Sequence, residues 1–260
     1  MENVLNIFSL KGKTAIVTGG SGNYGKQITE ALASAGARVI IASRNKGKNQ
    51  EYANELIKKG YNVITEELDQ GNEESINNFA KRVSEKYKID VLVNNAVLRC
   101  VKSFDDDAEN FSKSLIVNGT GAFIMHRVFG DIMAKQGGGS IINIGSYMGE
   151  LGPDDTLYKD VSFSGFSSPD YFFHKAGLTN LTRFMASKYG PFGVRCNVLQ
   201  LGGLFNNQDE RFVNRYNERT FLKRMANNTD IMGIIIYLAS DASLYMTGAT
   251  IALDGGYTAK

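Results

Sequence analysis

Apolar residues along this chain fall into short unbroken runs, separated by longer stretches in which they recur every three or four positions. The runs TAIVTG (14–19), RVIIAS (38–43), NVITEEL (62–68), DVLVNNA (90–96), SIINIGS (140–146), VRCNVLQ (194–200) and ATIALDGG (249–256) read as strands. Continuous Val/Ile/Leu runs of this length mark strands buried on both faces, as in a parallel sheet between two helical layers. The periodic stretches predict helices over about 24–35, 49–60, 73–87, 107–136, 171–190 and 230–241. Ser168 and Pro169 read as the N-cap and first residue of the helix that carries Tyr171. The alternation of strand and helix gives an α/β fold class, a doubly wound parallel sheet of about seven strands with helices on both faces. No linker, repeat or low-complexity tract divides the chain, so residues 1–260 are expected to form one domain.

Two stretches next to strands carry candidate chemistry. TGGSGNYG (18–25) leaves the first strand and opens a helix. Glycines there allow a tight turn and a close approach of backbone to a pyrophosphate, which the free N–H groups of the helix N-terminus attract. Gly19, Ser21, Asn23, Tyr24 and Gly25 are the candidate cofactor contacts. The second strand ends IIASRN, where a carboxylate would grip the ribose hydroxyls of NAD. Ser43 and Arg44 stand there instead, with Lys46 and Lys48 close behind, and such groups suit a 2′-phosphate. NADP (NADPH) is the preferred cofactor and NAD the alternative. Asp69, at the end of the third strand, is either a contact for the adenine edge or a turn former.

Composition removes other classes. Of 260 residues, 43% are hydrophobic and 22% charged, with a formal net charge of +2, so nothing implies nucleic acid or an anionic membrane as partner. No apolar run is long enough to span a membrane, and no basic-then-apolar leader is visible. Two cysteines, Cys100 and Cys196, fit a reducing compartment, and a cytoplasmic location is expected. His126 and His174 are too far apart in sequence to suggest a metal site, so no metal is expected.

Further motifs recur in a fixed order. NNAV (94–97) includes Asn95, VNGTGAF (117–123) includes Asn118, NIGS (143–146) ends on Ser146, YFFHK (171–175) sets Tyr171 four residues before Lys175, and DGG occupies 254–256. Together with TGGSGNYG they resemble the short-chain dehydrogenase/reductase (SDR) family over about residues 10–258. The resemblance implies a Rossmann-type domain, usually a homotetramer, that moves a hydride between NAD(P) and a carbonyl/alcohol pair. It places the family's catalytic tetrad on Asn118, Ser146, Tyr171 and Lys175, and cofactor contacts on Asn95, Tyr171 and Lys175. Three positions depart from the pattern: Asn23 replaces the middle glycine of the turn, Val97 the last glycine of NNAG, and Leu201 a proline. Asparagine tolerates positive φ, so the turn is expected to survive.

The chemistry suits these residue types. A free phenol has a pKa near 10, and a neighbouring ammonium lowers it toward useful acid–base range. Tyr171 and Lys175 are i and i+4 on one helix face. Ser146 can hold the substrate oxygen. Asn118 beside Gly119 and Gly121 conflicts with helix propensity, so a kink with an exposed carbonyl is expected there. Tyr158 lies nearer the family's usual distance from Ser146, but its i+4 residue is Ser162, so it has no ammonium partner.

Twenty-four residues separate Ser146 and Tyr171, about twice the family's usual gap. This insert, 147–170, holds Tyr147, Tyr158, Phe163 and Phe166 and is read as a wall of the active site or a subunit contact. A second variable stretch, 204–228, rich in Asn, Gln, Arg and Asp, is read as a substrate lid. Candidate substrate contacts are Ser146, Tyr147, Tyr158, His174 and Phe205. Polar lids suit polyhydroxylated or charged substrates, because each buried hydroxyl needs a partner. The resemblance within the family is to sugar-modifying oxidoreductases, including those of flagellin glycan and legionaminic acid biosynthesis, and more loosely to gluconate 5-dehydrogenase. The leading expectation is an NADP-dependent oxidoreductase of a sugar or amino sugar. The alternatives are reduction of an acyl-carrier ketone and a non-catalytic dinucleotide sensor.

Overall fold

Seven parallel strands form one sheet in the computed structural model, which describes residues 3–161 and 168–259. They are β1 (Thr14–Thr18), β2 (Arg38–Ser43), β3 (Val63–Glu67), β4 (Val91–Asn94), β5 (Gly139–Ile144), β6 (Val194–Leu201) and β7 (Thr250–Leu253), in the order β3-β2-β1-β4-β5-β6-β7. The helices are α1 (Asn23–Ser34), α2 (Lys46–Lys58), α3 (Glu73–Ser84), α4 (Ala108–Leu115), α5 (Ala122–Lys135), α6 (Pro169–Tyr189), α7 (Glu210–Arg219) and α8 (Met232–Ala239).

Side-chain alternation splits the core into two layers. Ala15, Val17, Val39, Ile41, Val91 and Val93 face α1, α2 and α8. Ile16, Ile40, Leu92 and Ile141 face α3, α5 and α6. This is the Rossmann-type, doubly wound arrangement that the unbroken apolar runs imply. Strand order reverses between β1 and β4, so the crevice for a ligand opens beyond their carboxyl ends.

The stretch read as one helix over 107–136 is divided. Between α4 and α5 the backbone adopts π-helical turns over Ile116–Gly121. Close packing explains the glycine: a Cβ on Gly121 would sit 2.0 Å from the Gln70 carbonyl oxygen. At Asn118, where a kink with an exposed carbonyl was expected, the irregularity takes the form of π-helical turns.

The segment 204–228, read as a variable polar lid, contains α7. Its N-cap is Asp209, whose carboxylate accepts from Arg211 N. Only Phe212 and Tyr216, one turn apart, are buried on it, so the apolar stripe is too narrow to stand out among charged residues. Pro169 is the first residue of α6, as expected, but the Ser168 side chain makes no capping hydrogen bond among the described residues.

Asn23 needs no left-handed backbone. It is the first residue of α1, after Gly22, and the positive φ of the turn lies on Gly19. That corrects the expectation that position 23 uses asparagine's tolerance of positive φ. Gly25 is the residue with no alternative, since a Cβ there would lie 2.1 Å from the Gly19 carbonyl oxygen.

Candidate active site

A cavity of about 920 Å³ runs along the carboxyl ends of β1, β4, β5 and β6. At one end lie Gly19, Gly22, Asn23, Tyr24, Ser43, Arg44 and Asp69; at the other lie Arg99, Ser146, Tyr147, Tyr158, Tyr171 and Lys175. The first turn of α1 has no side-chain cap, so its N–H groups are available to phosphate oxygens.

Several predicted cofactor residues shape this end. Tyr24 donates its hydroxyl to the Gly202 carbonyl at 3.0 Å, tying α1 to the end of β6. Asn95 donates its amide to the carbonyls of Thr18 and Gly19 at 2.9 and 3.1 Å, which holds the glycine turn from below. Asp69 accepts from Gly71 N at 2.9 Å, so it forms the turn after β3 while also lining the cavity. Ser21 is buried and bonded to Asn49 Oδ1; it does not face the cavity.

Around Tyr171 the geometry is electrostatic. Lys175 Nζ lies 5.3 Å from the ring centroid and donates to the Ile144 carbonyl at 2.6 Å. On the ring's face stands Arg99, its guanidinium carbon 4.0 Å from the centroid. Burial pushes the Tyr171 phenol up, but Lys175, then Arg99, and polar contacts from Arg99 and Ser146 outweigh it, and the phenol ends below its ordinary value. Burial also lowers the Lys175 ammonium, against the pull of Tyr171. Tyr158 behaves oppositely: burial pushes it up to about 12. Burial raises Tyr147 and Tyr216 as well. The surroundings of Tyr171 and Tyr158 thus shift the two phenols in opposite directions.

Ser146 is buried at the start of the insert, its N–H donating to Gln200 Oε1 at 2.6 Å. Asn118 faces away from the large cavity. Its side chain bridges Leu98 in both directions, at 2.8 and 2.7 Å, and donates to Ser114 Oγ at 3.0 Å. It therefore fixes the loop after β4, which carries Arg99.

Two expected substrate contacts, His174 and Phe205, do not line the large cavity. His174 lies on the far side of Lys175, buried, its Nε2 3.0 Å from Ser114 Oγ, and lines only a small internal cavity with Asn118. The reason is angular: a residue beside Lys175 on a helix points about a quarter-turn away. Phe205 is half exposed and off the cavity wall, while its neighbours Leu204 and Asn206 line it. His126 is buried with Nδ1 2.6 Å from the Ala122 carbonyl, a packing position.

Of the described part of the insert, Tyr147, Met148, Tyr158 and Ser168 line the cavity. Tyr147, Leu157 and Tyr158 pack with Phe212, Tyr216, Met225 and Tyr257 into a third apolar cluster. Arg219 donates to Asp154 Oδ2 at 2.8 Å and to Thr156 Oγ1 at 2.8 Å, and Arg215 donates to the carbonyls of Leu157 and Lys159. Insert and α7 are thereby joined beside the cavity. Ser162, Phe163 and Phe166 lie outside the described residues.

Arg99 is the residue that sequence reasoning missed. Nothing in its local pattern marks it, and only the loop held by Asn118 sets it on Tyr171.

Comparison with known proteins decides the family. A profile described as Enoyl-(Acyl carrier protein) reductase matches residues 22–258. The 2-dehydro-3-deoxy-D-gluconate 5-dehydrogenase of Bacillus subtilis is 33% identical over 97% of this chain and 97% of its own. This chain is a short-chain dehydrogenase/reductase. The SDR is also 30% identical to a galactitol 2-dehydrogenase (L-tagatose-forming) from Cereibacter sphaeroides, over 97% of each chain. Its fold is similar to the crystal structure of a gluconate 5-dehydrogenase from Burkholderia cenocepacia in complex with NADP and tartrate, with a TM-score of 0.88, 26% identity and coverage of 99% and 100%. It is accordingly an NAD(P)-dependent oxidoreductase, related to sugar dehydrogenases, and a sensor without catalysis is no longer the reading. Among the described residues no helix is long and apolar enough to cross a membrane, and no group of three or more His, Cys, Asp or Glu could hold a metal.

Proposed function

We propose that this SDR uses NADP to interconvert the carbonyl and hydroxyl of a sugar derivative, with a carboxylated sugar as its preferred substrate class. The observation that carries the reading is Arg99. It stands on the face of Tyr171, is exposed to the cavity, and makes no ion pair among the described residues. A cation so placed can hold a substrate carboxylate beside the reacting carbon. The names of the relatives, which act on gluconate-type acids and polyols, support the same class. Legionaminic acid is itself a carboxylated sugar and so falls within the class, though none of these relatives points to it specifically.

The nicotinamide supplies or accepts the hydride when bound. Tyr171 gives the proton to the developing alkoxide, or removes it in the oxidative direction, and Lys175 and Arg99 stabilise its phenolate form. Ser146 holds the substrate oxygen, and Asn118 positions the Arg99 loop. Ser43 and Arg44 at the end of β2 favour NADP, and Gly19, Asn23, Tyr24 and Asp69 shape the rest of the cofactor's bed. Tyr147 and Tyr158 are the insert's contacts with substrate. A homotetramer and a cytoplasmic location complete the proposal, from the family and from cysteine usage.

An absorbance assay at the nicotinamide band tests this, using gluconate-type acids, uncharged polyols and ketoacyl thioesters with each cofactor. Turnover should be highest with a carboxylated sugar and NADP, and Tyr171→Phe should lose roughly 100-fold or more in kcat with NADP binding kept. Ketoacyl thioesters as the best substrates would replace the reading with the acyl-carrier alternative.

A further inference from the structure

Asn49 lies on the inner side of α2 and is fully buried beneath the end of β2. Two hydroxyls meet its side chain. Ser21 Oγ of the glycine turn is 2.8 Å, and Ser43 Oγ of β2 is 3.0 Å, from Asn49 Oδ1. The other amide atom, Nδ2, is buried with no hydrogen-bond partner among the described residues. Ser43 lines the large cavity beside Arg44, while Ser21 lies under the turn. One buried amide therefore joins the two chain segments that would surround the adenosine ribose.

An amide oxygen and nitrogen occupy nearly the same space, so the group has two seatings with opposite chemistry. With oxygen toward the serines, both hydroxyl protons are spent inward and two buried amide protons have no acceptor. With nitrogen toward them, each amide proton reaches one hydroxyl oxygen, and a single carbonyl is left unmet. Orphaned buried N–H donors are rarer and costlier than an under-satisfied carbonyl. The second seating is the more stable. It also leaves the Ser43 proton free to point into the cavity.

That proton decides between cofactors. A 2′-phosphate oxygen requires a donor, and a hydroxyl whose proton is spent inward presents it only lone pairs. A ribose 2′-hydroxyl can instead donate to those lone pairs. We infer that Asn49 is a positioning residue for cofactor choice, its amide nitrogen turning the Ser43 hydroxyl outward as a donor to the 2′-phosphate. This rests on the NADP reading proposed above.

Binding of NADP and NAD to the full chain, followed by tyrosine fluorescence or calorimetry, tests it in four proteins: wild type, Asn49→Asp, Ser43→Ala and the double variant. A carboxylate at position 49 can only accept, so it draws both serine protons inward. Asn49→Asp should weaken NADP by roughly 10- to 100-fold while NAD changes little. On the Ser43→Ala background the same substitution should change the NADP/NAD ratio by no more than about threefold. An undiminished effect there would mean direct repulsion by the new charge and would overturn the inference, as would equal loss of both cofactors. Should Asn49→Asp not fold, Asn49→Leu serves: a selective fall in NADP affinity supports the inference, and an unchanged ratio overturns it. The wild-type ratio reads the underlying proposal separately, since a wild type that prefers NAD removes the NADP assignment whatever the variants do.

Discussion

The Arg99 guanidinium carbon stands 4.0 Å from the ring centroid of Tyr171, and Lys175 Nζ lies 5.3 Å from the same point. Two cations thus bracket one phenol in a cavity where burial raises the neighbouring Tyr147 and Tyr158. Because Arg99 is exposed, water screens part of its effect, while Lys175 acts from a buried position.

Arg99→Met should move the pH profile of alcohol oxidation. The rate in that direction rises with pH as Tyr171 loses its proton. Against burial, Lys175 and then Arg99 hold the phenol below its ordinary value, so removing the Arg99 charge shifts the ascending limb to higher pH. KM for a carboxylated sugar should rise roughly tenfold or more, while an uncharged polyol is little affected. Steady-state kinetics across pH with both substrates reads both effects.

Arg219→Ala should loosen the insert's attachment to α7 with little cost in stability. The Arg219–Asp154 pair is partly exposed on both sides, and such pairs contribute about 1 kcal/mol or less. The expected outcome is a melting shift of no more than about 4 °C with an appreciable rise in KM. Calorimetry beside kinetics checks it, and a large melting shift with unchanged KM would mean that the link serves only folding.

Gly121→Ala should destabilise by about 1–3 kcal/mol, because the added Cβ would meet the Gln70 carbonyl oxygen at 2.0 Å. That corresponds to a melting temperature lower by about 2–12 °C. Gly60→Ala is not an equivalent control, since its strain comes from positive φ with open space around it. Gly177→Ala, on α6 with nothing within 4 Å of the added atom among the described residues, should be neutral or stabilising.

Acidification should weaken the fold through both histidines. Burial is the chief cause that lowers the His126 imidazole, and it also lowers His174 against the pull of Asp170 and with the push of Lys175. Below about 6.5 the unfolded chain then binds more protons than the folded one. Their contribution is complete above that pH and is lost as pH falls toward the depressed folded values. Melting temperature should decline from pH 7 to 5, and His126→Gln should flatten that slope even if it lowers the plateau.

Much of this was legible in the order of residues. Unbroken apolar runs name strands buried on both faces, because a residue inside a two-sided sheet meets no water whichever way it points. The glycine turn, the end of β2 and the Tyr171–Lys175 pair are local, and helix geometry alone brings residues four apart to one face. Tertiary structure decided the rest. Arg99 reaches Tyr171 because Asn118 holds the loop after β4. His174 turns away to Ser114, and α7 is stable because Phe212 and Tyr216 find the insert's tyrosines. Asn49 joins Ser21 to Ser43 only once α2 has packed on the sheet. Such contacts join residues far apart in the chain, and periodicity carries no information about which distant side chain will fill the space beside a given one.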